Sequence, residues 1–207
     1  MTAIDLSALT PKDRYKLLCG VVIPRPVAWV TTKGVDGLVN AAPFSFFNLF
    51  GQDPALVILG LENRSDGSAK DTTRNIADTG EFVINILTPD LAVPMVSTAA
   101  AYPPDISEPE ALGLSLAPSA QVAPPRLRDA PVALECRKTV ALNFSREREL
   151  LVGECLCLQA RPGLVNTEKM HVDWGGDFPI ARLFADRYAR LEEIDRHPIP
   201  VLEKGAR

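Results

Sequence analysis

Several segments of the chain carry side chains able to do chemistry. The first is Arg64-Ser65-Asp66-Gly67-Ser68-Ala69-Lys70-Asp71-Thr72. Its hydroxyls, glycine and lysine stand just before a run that reads as a helix. Free N–H groups at a helix start, the positive end of its dipole and the Lys70 charge together suit a phosphate. The same residues also suit a solvated loop in which Ser68 or Asp71 caps the helix. The second segment is Asn40-Ala-Ala-Pro-Phe-Ser-Phe-Phe-Asn48. Small residues and Pro43 let backbone approach a flat ring, Phe44, Phe46 and Phe47 offer apolar contact, and Ser45 and Asn48 offer hydrogen bonds. A core strand ending in a polar turn would read the same way. The third, Ile23-Pro-Arg25-Pro-Val-Ala-Trp-Val-Thr-Thr32, presents one arginine rigidly between prolines, for a ligand or simply for solvent. The fourth is His171-Val-Asp-Trp174, with Arg182 and Tyr188 downstream.

Other chemistries are missing. No G-x-G-x-x-G follows a strand, no G-x-x-x-x-G-K-[ST] occurs, and no G-x-S-x-G elbow is present. Two histidines leave a Ser-His-Asp triad formally open, but nothing marks a nucleophile. The four cysteines, Cys19, Cys136, Cys155 and Cys157, form no C-x-x-C pair, and with so few histidines no metal site is expected. On a strand Cys155 and Cys157 would share a face; buried, redox-inactive thiols are expected, in a reducing, cytoplasmic compartment. Twenty-two basic residues against 26 acidic ones give a net charge of -4, which argues against nucleic acid as a partner. The N-terminus does not read as a signal peptide, and no run approaches the roughly 20 apolar residues of a membrane helix.

The elements that must position these residues read as mainly β. Thr10-Pro11-x-Asp13 starts a helix that ends near Gly20. Val27 to Thr32 and Leu38 to Ala42 read as strands around the turn Lys33 to Gly37, and Ala55 to Leu61 as a buried strand. Asp71 to Asp78 reads as a short helix closed by Gly80, and Glu81 to Leu87 as another strand. Leu91 to Ala101 suits a helix. Tyr102 to Pro131, rich in proline, reads as a looping excursion with one short strand. Val132 to Arg137 alternates as a half-exposed strand, Leu150 to Ala160 follows, and Asn143 to Glu149 forms the hairpin between them. Ala185 to Ile194 suits a C-terminal helix. With 207 residues, no repeat and no regular β-α alternation, one domain is expected, its core about 15–194: a barrel with short helical inserts.

The strings PRPVAWVTT, DGLVNAAPFSFFN, SAKDTTRNI and GEFVINI, in that order, closely resemble the flavin reductase-like, FMN-binding split-barrel family, in its flavoredoxin-like branch. The resemblance covers Tyr15 to Leu87 and fits the later strands more loosely. It implies a Greek-key split β-barrel, a homodimer with FMN near the subunit interface, and NADH or NADPH as co-substrate. It places Arg25, Val27, Ala28 and Trp29 along the flavin. Ala42, Pro43, Phe44, Ser45 and Asn48 would edge the ring, and Ser68, Lys70, Asp71 and Thr72 would hold the phosphate end. The ring-binding string differs from that of the better-known two-component monooxygenase reductases, so the acceptor, small molecule or electron-acceptor protein, is left open. The resemblance assigns no role to His171, Arg182 or Tyr188. An electron carrier or flavin-storage protein without nicotinamide activity is the alternative.

Overall fold

Period-two apolar runs divide the chain into strands, and seven of them pair antiparallel in one sheet. They are β1 (Ala28–Lys33), β2 (Val39–Phe44), β3 (Phe47–Gln52), β4 (Ala55–Glu62), β5 (Glu81–Ile86), β6 (Val132–Asn143) and β7 (Arg148–Ala160). The computed structural model describes residues 1–64 and 66–200; Ser65, part of the expected phosphate loop, lies outside them. The sheet order is β2-β1-β5-β6-β7-β4-β3. β5, β6 and β7 lie side by side with β4 returning next to β7, the Greek-key order.

The two edge strands, β2 and β3, are consecutive in sequence. Only Ser45 and Phe46 separate them, a reach of roughly 11 Å at most. The sheet therefore curls until its edges nearly meet, and β2 and β3 are halves of one bent path. No ladder seals them, so the barrel is split at this corner.

The interior takes alternate residues from the strands: Ala28 and Val30, Val57, Leu59 and Leu61, Phe82 and Ile84, and Leu151. α2 (Asp71–Thr79) adds Ile76, and Gly80 ends it in the left-handed conformation, φ 75°. A second apolar cluster, including Trp29, Ala41, Leu87, Met95, Leu127 and Ile180, lies outside the barrel. α3 (Ala92–Ser97) covers it with Met95, the excursion adds Leu127 and Ala130 and carries a further short helix, α4 (Glu108–Ala111), and Thr98 Oγ1 accepts from Trp29 Nε1 at 3.0 Å.

This cover buries β6 on both faces over its first residues, not one face as the alternation predicts. Glu135 is fully buried there, accepting the N–H groups of Ala120 (2.9 Å) and Gln121 (2.6 Å). Four further expectations are corrected. The short strand expected in the excursion is a pair, Leu116–Ala117 with Arg126–Leu127. The helical reading of Leu91 to Ala101 shrinks to α3, preceded by a 3-10 turn at Pro89–Leu91.

The C-terminal helix expected over Ala185 to Ile194 is not formed. Tyr188–Ala189 instead pairs with Ala181–Arg182, which pairs in turn with Arg25–Pro26. Ala185 turns this hairpin at φ 53°, and strand pairing half-buries Tyr188 while Ile194 stays 94% exposed, so tertiary contact decides against a helix too short to stand alone. Cys155 and Cys157 do not share a face, because a bulge falls between them: Cys155 sits opposite Cys136 and Cys157 opposite Glu135. Both are half-buried.

Candidate functional site

α1 (Pro11–Val21) begins as its sequence predicts, with Thr10 Oγ1 accepting from Asp13 N–H at 3.2 Å. It carries Tyr15 to the barrel corner. The corner residues Pro43, Phe44 and Ser45, with Tyr15, line two adjoining clefts.

The larger cleft, about 650 Å³, is mostly apolar. Val27, Pro43 and Phe44 line it from the barrel, and Val93 and Val96 from α3. Arg182, Asp186 and Tyr188 of the C-terminal hairpin close it, and Ser45 supplies a hydroxyl. The smaller cleft, about 160 Å³, adds Phe46, Gly60, Glu62, Lys70 and Arg148. Glu62 and Arg148 are cross-strand partners on β4 and β7. Arg148 meets Glu62 at 2.9 Å and Lys70 meets it at 3.3 Å. Two cations on one carboxylate leave the cleft one charge positive. All three side chains are about half-exposed, and such pairs contribute only about 0–1 kcal/mol, so an incoming anion can displace them.

Arg25 is 7% exposed, and its donors face inward. It donates to the carbonyls of Cys19 (2.7 Å), Val22 (2.9 Å) and Leu183 (2.6 Å), and its Nε reaches Ser45 Oγ at 3.4 Å. It thus fixes the end of α1, the C-terminal hairpin and the Ser45 hydroxyl together, and does not line either cleft. Ala28 and Trp29 are buried in the barrel wall, while Val27 reaches the larger cleft. Ala42 is half-buried on β2, next to Pro43, and Asn48 is exposed on β3, beyond the corner.

The phosphate set is dispersed. Lys70, the N-cap of α2, lines the smaller cleft. Ser68 donates to Asp66 Oδ1 at 2.7 Å. Asp71 is held by Arg74 (2.7 Å) and Arg64 (3.2 Å). Thr72 is 2% exposed and donates to the Asn40 amide oxygen at 2.8 Å. That amide in turn donates to Glu108 Oε1 at 3.2 Å, and Glu108 Oε2 accepts from Ala41 N–H at 3.0 Å. Glu108 therefore caps the open edge of β2 and ties it to α2, and burial pushes its carboxyl above the ordinary range. Tyr15, Glu62 and Arg148 carried no local signal in the sequence; only the strand register brings the last two to Lys70.

The donor set fits a phosphate-bearing ring: cations and a helix start at one cleft, and an apolar slot with a hydroxyl at the next. Among the described residues no cluster suited to a metal ion occurs, and no helix is long and apolar enough to cross a membrane.

This rolled, split sheet with its cleft at the unsealed corner defines a flavin reductase-like split barrel. The model of the flavin reductase like domain matches residues 21–178, and the chain belongs to that family. Among curated relatives, a protein of Deinococcus radiodurans is 41% identical over 177 residues, covering 83% of this chain and 78% of that one. Two solved structures align along nearly the whole chain. The Pseudomonas fluorescens 2-nitrobenzoate 2-nitroreductase is 36% identical, TM-score 0.88, covering 99% of this chain and 100% of that one. Nitrilotriacetate monooxygenase component B from Bacillus cereus is 33% identical, TM-score 0.89, covering 95% of this chain and 98% of that one.

Proposed function

We propose that the protein is an FMN-dependent oxidoreductase that takes hydride from NADH or NADPH and passes electrons to an acceptor, in the cytoplasm and as a homodimer. The observation that carries this reading is the pair of adjoining clefts at the corner, one cationic and one apolar. Lys70 and Arg148 would meet the phosphate charge, with the start of α2 beside them. Ser45, held by Arg25, would offer its hydroxyl to the polar edge of the ring. Phe44 and Val27 would exclude water from its ring. When bound, the flavin supplies the redox chemistry, which needs no acid–base side chain from the protein. Both solved relatives named above belong to reductive or oxygenase systems, which supports the class. The second relative is a monooxygenase component, so the divergent ring-binding string does not argue against a partner oxygenase.

A homodimer is supported by the outer face of the sheet. Leu142, Leu150 and Gly60 form one cross-strand row, and Val140, Val152 and Ile58 the next. Arg148 and Glu62 project from this same face, so the apolar patch runs directly into the smaller cleft. Phe50 and Phe144 stand exposed nearby, at 66% and 73%. A second copy seated here would wall off the phosphate end.

The test is anaerobic mixing of FMN-loaded protein with NADH and, separately, NADPH. Bleaching of the visible flavin absorbance by either supports the reading. Bleaching by neither leaves a flavin carrier, and failure to bind FMN at all removes both.

A further inference from the structure

We propose that the larger cleft is the docking site of a small planar organic acid, with Arg182 as the group that takes its carboxylate. The proposal rests on the flavin reading only for the nearness of that acid to the ring. Among the described residues, Arg182 is the one cation lining the larger cleft. It is half-buried and rigidly placed. Its guanidinium stacks on the Tyr188 ring, 4.5 Å from the centroid, and donates to the Tyr188 hydroxyl and the Ala185 carbonyl. Its strand is paired on both sides, with Arg25–Pro26 and Tyr188–Ala189.

Two of its N–H donors are thereby used. Among the described residues the others have no partner and no carboxylate pairs with it. A guanidinium fixed in plane with free donors is built for a carboxylate. The surroundings select what carries that carboxylate. Val93 and Val96 line the cleft yet are 77% and 45% exposed, apolar surface without a partner. With Pro43 they suit a flat apolar body, leaving Phe44 and Val27 to the ring. Asp186, exposed on the same rim, offsets the Arg182 charge, so a monoanion is favoured over a polyanion such as a dinucleotide.

The test uses benzoate and its neutral isostere benzamide, titrated calorimetrically into wild-type and Arg182→Gln protein, with and without FMN. Wild type should bind benzoate at least tenfold more tightly than benzamide. Arg182→Gln should weaken benzoate by roughly ten- to a hundredfold while leaving benzamide affinity unchanged. Should that variant fail to fold, Arg182→Lys, which keeps the charge and loses the fork, should still weaken benzoate several-fold. Equal binding of benzoate and benzamide, or benzoate affinity indifferent to both variants, overturns the proposal. So does Arg182-dependent binding of NADH without that of benzoate. If wild type binds no FMN, the flavin reading fails by itself, and the titrations on flavin-free protein still decide the role of Arg182.

Discussion

Glu62 holds the two cations that an anionic ligand would need. Removing either side of that contact should have opposite effects. Lys70→Ala should weaken FMN binding roughly tenfold or more, since charge-assisted hydrogen bonds contribute about 1.5–3 kcal/mol. Riboflavin, which lacks the phosphate, should be affected far less. Glu62→Gln should tighten FMN several-fold, because a competing carboxylate is gone while both cations stay. Fluorescence titrations with both flavins check this; equal losses of FMN and riboflavin in Lys70→Ala would move the phosphate elsewhere. That Lys70 stands at a helix start beside a cleft was legible in the sequence because its signal is local: hydroxyls, a glycine and a helix start within a few residues. Glu62 and Arg148 were not, because they lie 86 positions apart (148 minus 62) and meet only through the β4–β7 register. Arg25 was legible as special, but its surroundings were not. Its partners are backbone carbonyls, and one of them, Leu183, comes from the far end of the chain.

Elements with their own punctuation were read well. The Lys33 to Gly37 turn set the β1–β2 hairpin, and Gly80 closed α2. Elements stabilised by distant contact were not: β3 is an exposed edge with weak alternation, and the C-terminal tail follows the Arg182–Tyr188 pairing rather than its helical propensity. The tie between α2 and β2 through Glu108 has a pH signature. Its carboxyl lies above the ordinary value of 4.5, chiefly through burial, so the folded state holds the proton more tightly than the unfolded one. That contribution is fully present below the ordinary value and is lost as pH rises through the raised one. Glu108→Gln, neutral throughout, should remove this loss. Melting temperatures compared upward from about pH 4.5 should show wild type falling relative to the variant. Parallel curves would mean that Glu108 ionises in the fold at no cost.

At the scale of the whole molecule, the apolar rows on β4, β6 and β7 should hold two copies together. Sedimentation should give twice the 22.5 kDa chain mass. Leu142→Glu, which buries a charge in the contact, should yield monomers that bind FMN more weakly. A dimer that survives this change would place the interface elsewhere. The bent path through Ser45 and Phe46 has a further consequence, in time rather than space. β2 and β3 are neighbours in the chain but opposite ends of the sheet, so every intervening strand must pair before the corner takes its final shape. Loop closure on that scale makes barrel formation slow, in the millisecond-to-second range typical of β folds rich in distant contacts. The smaller corner cleft, lined from both sides of the rolled sheet, is then among the last parts of the molecule to form. During refolding, FMN capture would lag behind the recovery of strand structure and mark the moment of closure. Bound FMN would slow unfolding while leaving the folding rate almost untouched.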